Sequence, residues 1–315
     1  MTRRTALILG ATGGIGGAMT RRLLAGGWQV RALTRTDIAN LPDGCERCIG
    51  DALDPASVSA AAGNADVIVH AVNPPAYRDW GRLVIPMLDN TLAAAKASGA
   101  RIVLPGNVYN YGPAIVSRIA EDAPQHPVTR KSAIWVELER RLAAAVEAGH
   151  AKALIVRTGD FFGPGAANNW LGQAIVAPGS RPRVVRNPGR CGVGHQWAFL
   201  PDVAETMVRL LDRAALPALA RFHMDGHWDV DGRQMVEAIV RVLGNLTVPI
   251  RPLAWWSIRL ASFVAQTPRD LTEMRYLWQS PIRMANDRLL GELGEEPHTP
   301  LDEAVRVTLI GLGCL

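Results

Sequence analysis

Three glycines at intervals of three, Gly10, Gly13 and Gly16, stand directly behind the apolar run Ala6-Leu-Ile-Leu9. In a turn that holds a pyrophosphate each has its own task. Gly10 turns the chain off a strand, Gly13 leaves the backbone bare to a ligand, and Gly16 lets the next helix pack closely on the sheet. Ile15, Ala18, Met19 and Leu23 follow at helical spacing. A helix starting near Gly14 aims unpaired N–H groups and the positive end of its dipole at the phosphates. The plainer alternative is a glycine-rich turn with no ligand. The strand before it and the helix after it favour a dinucleotide site built on Gly10, Thr12, Gly13, Gly14, Ile15 and Gly16.

The elements that must position this turn alternate along the first half of the chain. Strands are expected at Ala6–Leu9, Trp28–Leu33, Arg47–Ile49, Val67–Val72, Arg101–Leu104 and Ala153–Arg157. Helices are expected to start near Gly14, then over Val58–Ala62, Leu83–Ser98 and Ser132–Ala148. Such alternation with short connections predicts an α/β, doubly wound Rossmann-type parallel sheet, with a dinucleotide across the carboxyl ends of the first and fourth strands, near Gly13 and Ala71. After Gly163-Pro164-Gly165 the periodicity weakens, and helical patterns return at Gly232–Leu243 and Leu301–Leu309. Residues 1–163 are therefore expected to form the dinucleotide-binding domain, with a later return near 195–213, and 164–315 mostly a smaller C-terminal substrate lobe. In the return, Asp202 is placed to cap the helix that follows.

Composition narrows the class. Of 315 residues, 48% are hydrophobic and 20% charged, ordinary values for a soluble chain with a large core. The net charge of +5 comes from scattered arginines, without the basic runs of a nucleic-acid partner. Met1-Thr2-Arg3-Arg4 leads straight toward the first strand, so no secretory leader is expected. The stretch Leu253–Val264 is too short to span a bilayer and reads as a buried or lobe-covering helix. Cys45 and Cys48 make a lone CxxC on a strand with no second pair, and His223 and His227 lack a third ligand, so no metal is expected. Reduced thiols point to the cytoplasm. The expected partner is a small molecule, with neither nucleic acid nor membrane, and a homodimer is compatible with this reading.

Several motifs occur in order: Gly10-x-x-Gly13-x-x-Gly16, Gly50-Asp51, Asp66-Val-Ile-Val-His-Ala71, Asn107-Val-Tyr-Asn-Tyr-Gly112, Arg157-Thr-Gly-Asp-Phe-Phe-Gly-Pro164 and Leu200-Pro-Asp-Val-Ala204. In sequence and spacing the chain resembles the extended short-chain dehydrogenase/reductases, the NAD(P)-dependent epimerases and dehydratases, densely to about Asp202 and loosely beyond. The resemblance implies a Rossmann domain for NAD(P) and a C-terminal lobe for substrate, often a nucleotide sugar. It implies that Asp51, with the amide of Ala52, meets the adenine amino group, and that Ala71, Val72 and Asn73 border the cofactor. A carboxylate ending the second strand would bind the ribose hydroxyls of NAD, whereas here the strand ends Leu33-Thr34-Arg35. Arg35 suits a 2′-phosphate, so NADP(H) is favoured over NAD(H); Asp37, in the turn beyond, is the rival.

The family's chemistry rests on a tyrosine and a lysine four residues apart on one helix, the lysine lowering the phenol's pKa. Aligned through Glu139, this chain carries Lys131 at the tyrosine position and Trp135 at the lysine position; aligned through Tyr111-Gly112, Asn107 takes the serine position. Three substitutes stand open. Lys131 donates the proton itself; Tyr109 or Tyr111 swings in with Lys131 as charged neighbour; or Asn107 holds a substrate carbonyl. Asp160, Asn168, Asn169, Trp170, His195 and Gln196 fall where substrate contacts are expected, with Asp160, Asn169 and His195 as the candidates. Two functions follow: an oxidoreductase or epimerase-like enzyme acting on a carbonyl, hydroxyl or nucleotide-sugar substrate without the usual tyrosine–lysine pair, or a non-catalytic NADP(H)-binding redox sensor or regulator.

Overall fold

A computed structural model describes residues 3–37, 41–74, 79–113, 118–165 and 169–315. Strand β1 (Thr5–Leu9) is an interior strand of a seven-stranded sheet and is buried along its whole length. Ala6 and Ile8 pack into the core on one face, and Leu7 and Leu9 into the core on the other. A strand covered on both faces has no polar side, which is why the run is apolar throughout.

The remaining strands of the sheet are β2 (Gln29–Thr34), β3 (Cys45–Ile49), β4 (Val67–His70), β5 (Arg101–Asn107), β6 (Lys152–Thr158) and β10 (Leu219–His223). Their order is β10-β6-β5-β4-β1-β2-β3, with every pairing parallel. Helices α1 (Gly14–Ala25), α2 (Pro55–Ala62), α3 (Trp80–Ser98), α4 (Arg130–Glu147) and α5 (Leu200–Leu211) cover the two faces. The architecture is the doubly wound α/β fold expected from the alternation, and the reversal of strand order falls between β1 and β4.

Differences from the expected elements have local causes. Helix α2 begins at Pro55, earlier than Val58, because Asp54 accepts hydrogen bonds from Ala56 N and Ser57 N ahead of a proline in the first turn. Strand β5 continues past Leu104 through Pro105 and Gly106. There its register partners lie on β6 alone, an edge setting that tolerates proline. Asp202 does not cap its own helix, which starts at Leu200. Its carboxylate accepts instead from Thr299 N (2.8 Å) and Thr299 Oγ1 (2.7 Å), tying α5 to the tail. The unit at 195–211 reaches the large sheet through α5, and the strand that joins the sheet is β10.

The second lobe holds a three-stranded sheet of β7 (Asp160–Phe162), β9 (His195–Phe199) and β11 (His227–Asp229), and a pair formed by β8 (Val185–Asn187) and β12 (Ile250–Pro252). Around them lie α6 (Gln234–Leu243), α7 (Trp255–Ala261), α8 (Gln266–Glu273), α9 (Asp287–Leu293) and α10 (Leu301–Gly311). The stretch expected as a buried or covering helix is α7 and its exit, and none of the helix is buried. Trp256, Leu260, Phe263 and Val264 are 62–89% exposed, since nothing described packs over that face. Among the described residues no helix is long and apolar enough to cross a membrane.

Candidate functional site

Gly10 ends β1 with φ +92°, and a Cβ there would lie 2.5 Å from the carbonyl oxygen of Ala71. Gly16 packs against the same turn, where a Cβ would stand 2.1 Å from Gly10 O. Both positions therefore exclude any side chain. At Gly13 the nearest neighbour of such a carbon is Gly10 O, at 3.3 Å, so the amide face of the turn is otherwise open. Helix α1 starts from Gly13 with no side-chain cap and no acidic residue in its first turn. Its first amides and dipole are left to an anion from outside the helix.

A cleft of about 820 Å³ opens over this turn, across the carboxyl ends of the strands. Thr12, Gly13, Gly14 and Ile15 form its floor together with Gly10; Gly16 lies buried beneath. Thr34 and Arg35 border it from the end of β2, Asp51 and Ala52 from beyond β3, and Ala71, Val72 and Asn73 from beyond β4. Asp51 Oδ1 accepts from Leu53 N at 2.9 Å, which fixes the carboxylate at the rim. Asn73 Oδ1 accepts from Trp80 Nε1 at 2.9 Å, bringing the indole into the cleft wall. Arg35 is exposed at the edge, while Asp37 does not line the cleft and pairs with Arg47. Burial raises the pKa of both Cys45 and Cys48 on β3, the opposite of what a reactive dithiol needs.

The same cleft continues to the end of β5 and the start of α4, where Asn107, Tyr109, Lys131, Trp135, Asp160, Asn169 and Trp170 meet. Asn107 Oδ1 accepts from Tyr109 N (2.8 Å), so this side chain shapes the turn that presents Tyr109. The Tyr109 hydroxyl donates to Asp160 Oδ1 at 2.6 Å. Lys131 Nζ lies 3.7 Å from Asp270 Oδ2 and 6.0 Å from the centre of the Trp80 ring. Burial lowers the pKa of this lysine, and Asp270 opposes the shift. Trp135, at the family's lysine position, packs 5.9 Å from Trp80, ring centre to ring centre.

Three expected residues stand elsewhere. Tyr111 is buried outside the cleft, accepting from Arg157 Nη1 at 2.8 Å with His223 Nε2 at 3.0 Å, and burial pushes its phenol up to about 12. Of the two tyrosines, Tyr109 lines the cleft and Tyr111 does not. His195 is also buried outside the cleft, behind Asp160, with Nε2 2.9 Å from Asp160 Oδ2. Asn169 Oδ1 accepts from Gly172 N (3.0 Å), and its buried Nδ2 has no partner among the described residues. Asn168 lies outside the described residues. Gln196, 3% exposed, ties β9 to Asp225 and Met284 and does not line the cleft. Sequence reasoning missed Asp270, Leu271 and Met274, which close the cleft from α8 and its exit. They follow the last motif by some seventy residues, and no spacing rule links them to Lys131.

A family model described as NAD(P)H-binding matches residues 10–161. A dTDP-6-deoxy-L-talose 4-dehydrogenase (NAD(P)(+)) from Kitasatospora kifunensis is 31% identical over 322 aligned positions, which cover 95% of this chain and 92% of that protein. A 3-diazoavenalumate denitrifying reductase from a Streptomyces species is 32% identical over 178 positions, and the match spans half of this chain and 57% of that protein's length. In fold, MoeE5 in complex with UDP-glucuronic acid and NAD aligns with a TM-score of 0.75 over 98% of both chains, at 18% identity. Kinship along nearly the whole chain, joined to the NAD(P)H-binding match over the glycine turn, makes this protein a member of the extended short-chain dehydrogenase/reductases, the NAD(P)-binding epimerases and dehydratases.

Proposed function

We propose that this protein is an NADP(H)-dependent oxidoreductase whose substrate is a carbonyl compound or the matching alcohol, a nucleotide sugar included. The observation that carries the reading is a single cleft joining the glycine turn to Tyr109, Lys131 and Asp160. The residues fit a dinucleotide. The bare backbone at Gly13 and the uncapped start of α1 receive the pyrophosphate, Asp51 and Ala52 the adenine, and Arg35 a 2′-phosphate. Ala71, Val72 and Asn73 then flank the nicotinamide half. When bound, the nicotinamide supplies or accepts hydride. Residues 1–163, with a later return near 195–213, serve the cofactor, and 164–315 mostly shape the substrate end.

At that end the unpartnered Asn169 Nδ2 offers a donor to a substrate oxygen, and Lys131 a positive charge. Trp80, Trp135 and Trp170 make the walls flat and apolar. The names of the two relatives describe redox steps, on a sugar and on a diazo compound, which favours an enzyme over a sensor. Four free thiols support a reducing, cytoplasmic setting. The test is turnover of NADPH and NADH with dTDP- and UDP-sugars, aromatic aldehydes and quinones. Turnover with one of these classes is expected. Tight NADPH binding with no turnover on the whole panel would establish the sensor instead.

A further inference from the structure

We propose that Asp160 is the base of the reaction, working through the Tyr109 hydroxyl, and that His195 is the residue that positions it; this rests on the catalytic reading above. The three groups form one chain of hydrogen bonds leading inward from the cleft. Tyr109 Oη donates to Asp160 Oδ1 (2.6 Å), and Asp160 Oδ2 faces His195 Nε2 (2.9 Å). Tyr109 and Asp160 line the cleft and His195 does not.

The imidazole is fixed from every side. It stacks on Trp278 at 3.8 Å with the planes 5° apart, and Nδ1 lies 3.3 Å from the Leu277 carbonyl. Both ring nitrogens thus face oxygens that only accept, a setting that an imidazolium satisfies fully and a neutral ring by half. The charged groups around it are Asp160 from β7 and Asp229, its register partner on β11. The Asp229 carboxylate is taken up by the amides of Arg233, Gln234 and Met235. Lys131, with Asp270 and Glu273 beside it, and the Tyr276 phenol lie within the field of Asp160.

This arrangement differs in kind from a tyrosine–lysine pair. A lysine stabilises phenolate, whereas a carboxylate beside the phenol disfavours it. Tyr109 therefore passes a proton without ionising. When an alcohol is oxidised, its O–H bond breaks and the proton goes to Tyr109 Oη. In the same movement the Tyr109 O–H bond breaks and that proton goes to Asp160 Oδ1. The alcohol carbon would give its hydride to an oxidised nicotinamide, and the electron pair freed from the O–H bond closes the C=O double bond. Reduction runs the same moves backward, starting from a protonated Asp160. His195 keeps its N–H on Oδ2 throughout, which leaves Oδ1 turned toward Tyr109.

The test pairs kinetics with a spectrum of the cofactor-free protein. With NADPH and the panel compound turned over fastest, Tyr109→Phe and Asp160→Asn should each lower kcat by about 10²–10⁴-fold at unchanged NADPH affinity. His195→Leu should behave likewise, while His195→Gln, which keeps an N–H for Oδ2, should recover most of the rate. In wild type the pH profile of kcat/KM should carry a limb that Asp160→Asn removes. Independently of turnover, 15N spectra should show the His195 Nε2 resonance displaced in Asp160→Asn, because the carboxylate it faces at 2.9 Å is gone. Wild-type rates in Asp160→Asn, or a His195 Nε2 resonance identical in the two proteins, would overturn the proposal and leave the enzyme reading intact. A wild type that binds NADPH, shows the His195 shift and turns nothing over would overturn the enzyme reading, and the base with it.

Discussion

The Arg157 guanidinium on β6 is clasped by the Glu139 carboxylate of α4, Nε to Oε1 at 2.9 Å and Nη2 to Oε2 at 2.5 Å, with both side chains almost wholly buried. The same guanidinium donates to Tyr111 Oη and to the Glu121 carbonyl, and Asn110 Nδ2 donates to Glu139 Oε1. One buried ion pair thereby ties the turn that carries Tyr109 to the helix that carries Lys131 and to the strand that leads into Asp160.

Removing one partner of such a pair leaves a desolvated charge with no counter-ion. Glu139→Ala should cost about 3–5 kcal/mol of folding stability, and Glu139→Gln less, because the amide oxygen still accepts from Arg157. Urea unfolding followed by tryptophan fluorescence measures both. A loss below about 1 kcal/mol for the alanine variant would show that the network repacks without the pair.

Stability should also fall with acid, for a reason that can be assigned. Burial, reinforced by the Arg157 charge, pushes His223 down to about 3, and burial pushes His70 down to about 4. In the unfolded chain both titrate near 6.5. The folded state therefore binds fewer protons, so the contribution is complete above about pH 6.5 and is lost as pH falls toward the folded values. Each histidine can remove up to about 1.4 kcal/mol per pH unit in that window. Unfolding free energies from about pH 7 down to about pH 4.5 should fall with a slope that His223→Gln reduces. An unchanged slope would assign the loss to other groups.

Lys131 gives a third expectation. Its charge lies in the cleft against Asp270, with burial pulling its pKa down and Asp270 holding it up. Lys131→Met should weaken substrate binding, seen as a raised KM, while NADPH affinity stays within about twofold, since the glycine turn lies at the other end of the cleft. Asp270→Asn should move any Lys131-dependent limb of the pH profile toward lower pH. A rise in NADPH Kd equal to the rise in KM would place Lys131 on the cofactor instead.

The sheet and the glycine turn were legible because their physics is local. A strand buried on both faces reads as an unbroken apolar run, and Gly10 and Gly16 sit where a Cβ would strike backbone. The substrate end was legible only on the segments that carry motifs. Asn107, Tyr109, Lys131 and Asp160 could be picked out, but residue types alone did not separate Tyr109, in the cleft, from Tyr111, two residues on and turned into the core. Asp270 and Met274 come from a stretch whose place over the cleft is set by tertiary packing, and no periodicity encodes that. The exposed side chains of Trp256 and Phe263 show the converse: of the two readings of that apolar stretch, a buried or a lobe-covering helix, exposure goes against the buried one.

Cofactor choice turns on Arg35. It stands at the cleft edge just beyond β2, beside Thr34, where an acidic residue would bind the ribose hydroxyls of NAD. Asp37, the carboxylate that could take that part, is drawn to Arg47 and lies off the cleft. A guanidinium facing a 2′-phosphate makes charge-assisted hydrogen bonds of about 1.5–3 kcal/mol, or roughly 10- to 150-fold in affinity. Wild type should therefore bind NADPH more tightly than NADH by a factor in that range, and the preference should shrink as salt is raised, because the arginine is exposed. Arg35→Ala should abolish most of the difference by weakening NADPH while leaving NADH nearly unchanged. Fluorescence titration of the two reduced cofactors against both proteins measures all four constants. Equal affinities in wild type, or tighter NADH, would transfer the ribose to another group and make Asp37, released from Arg47, the first to test.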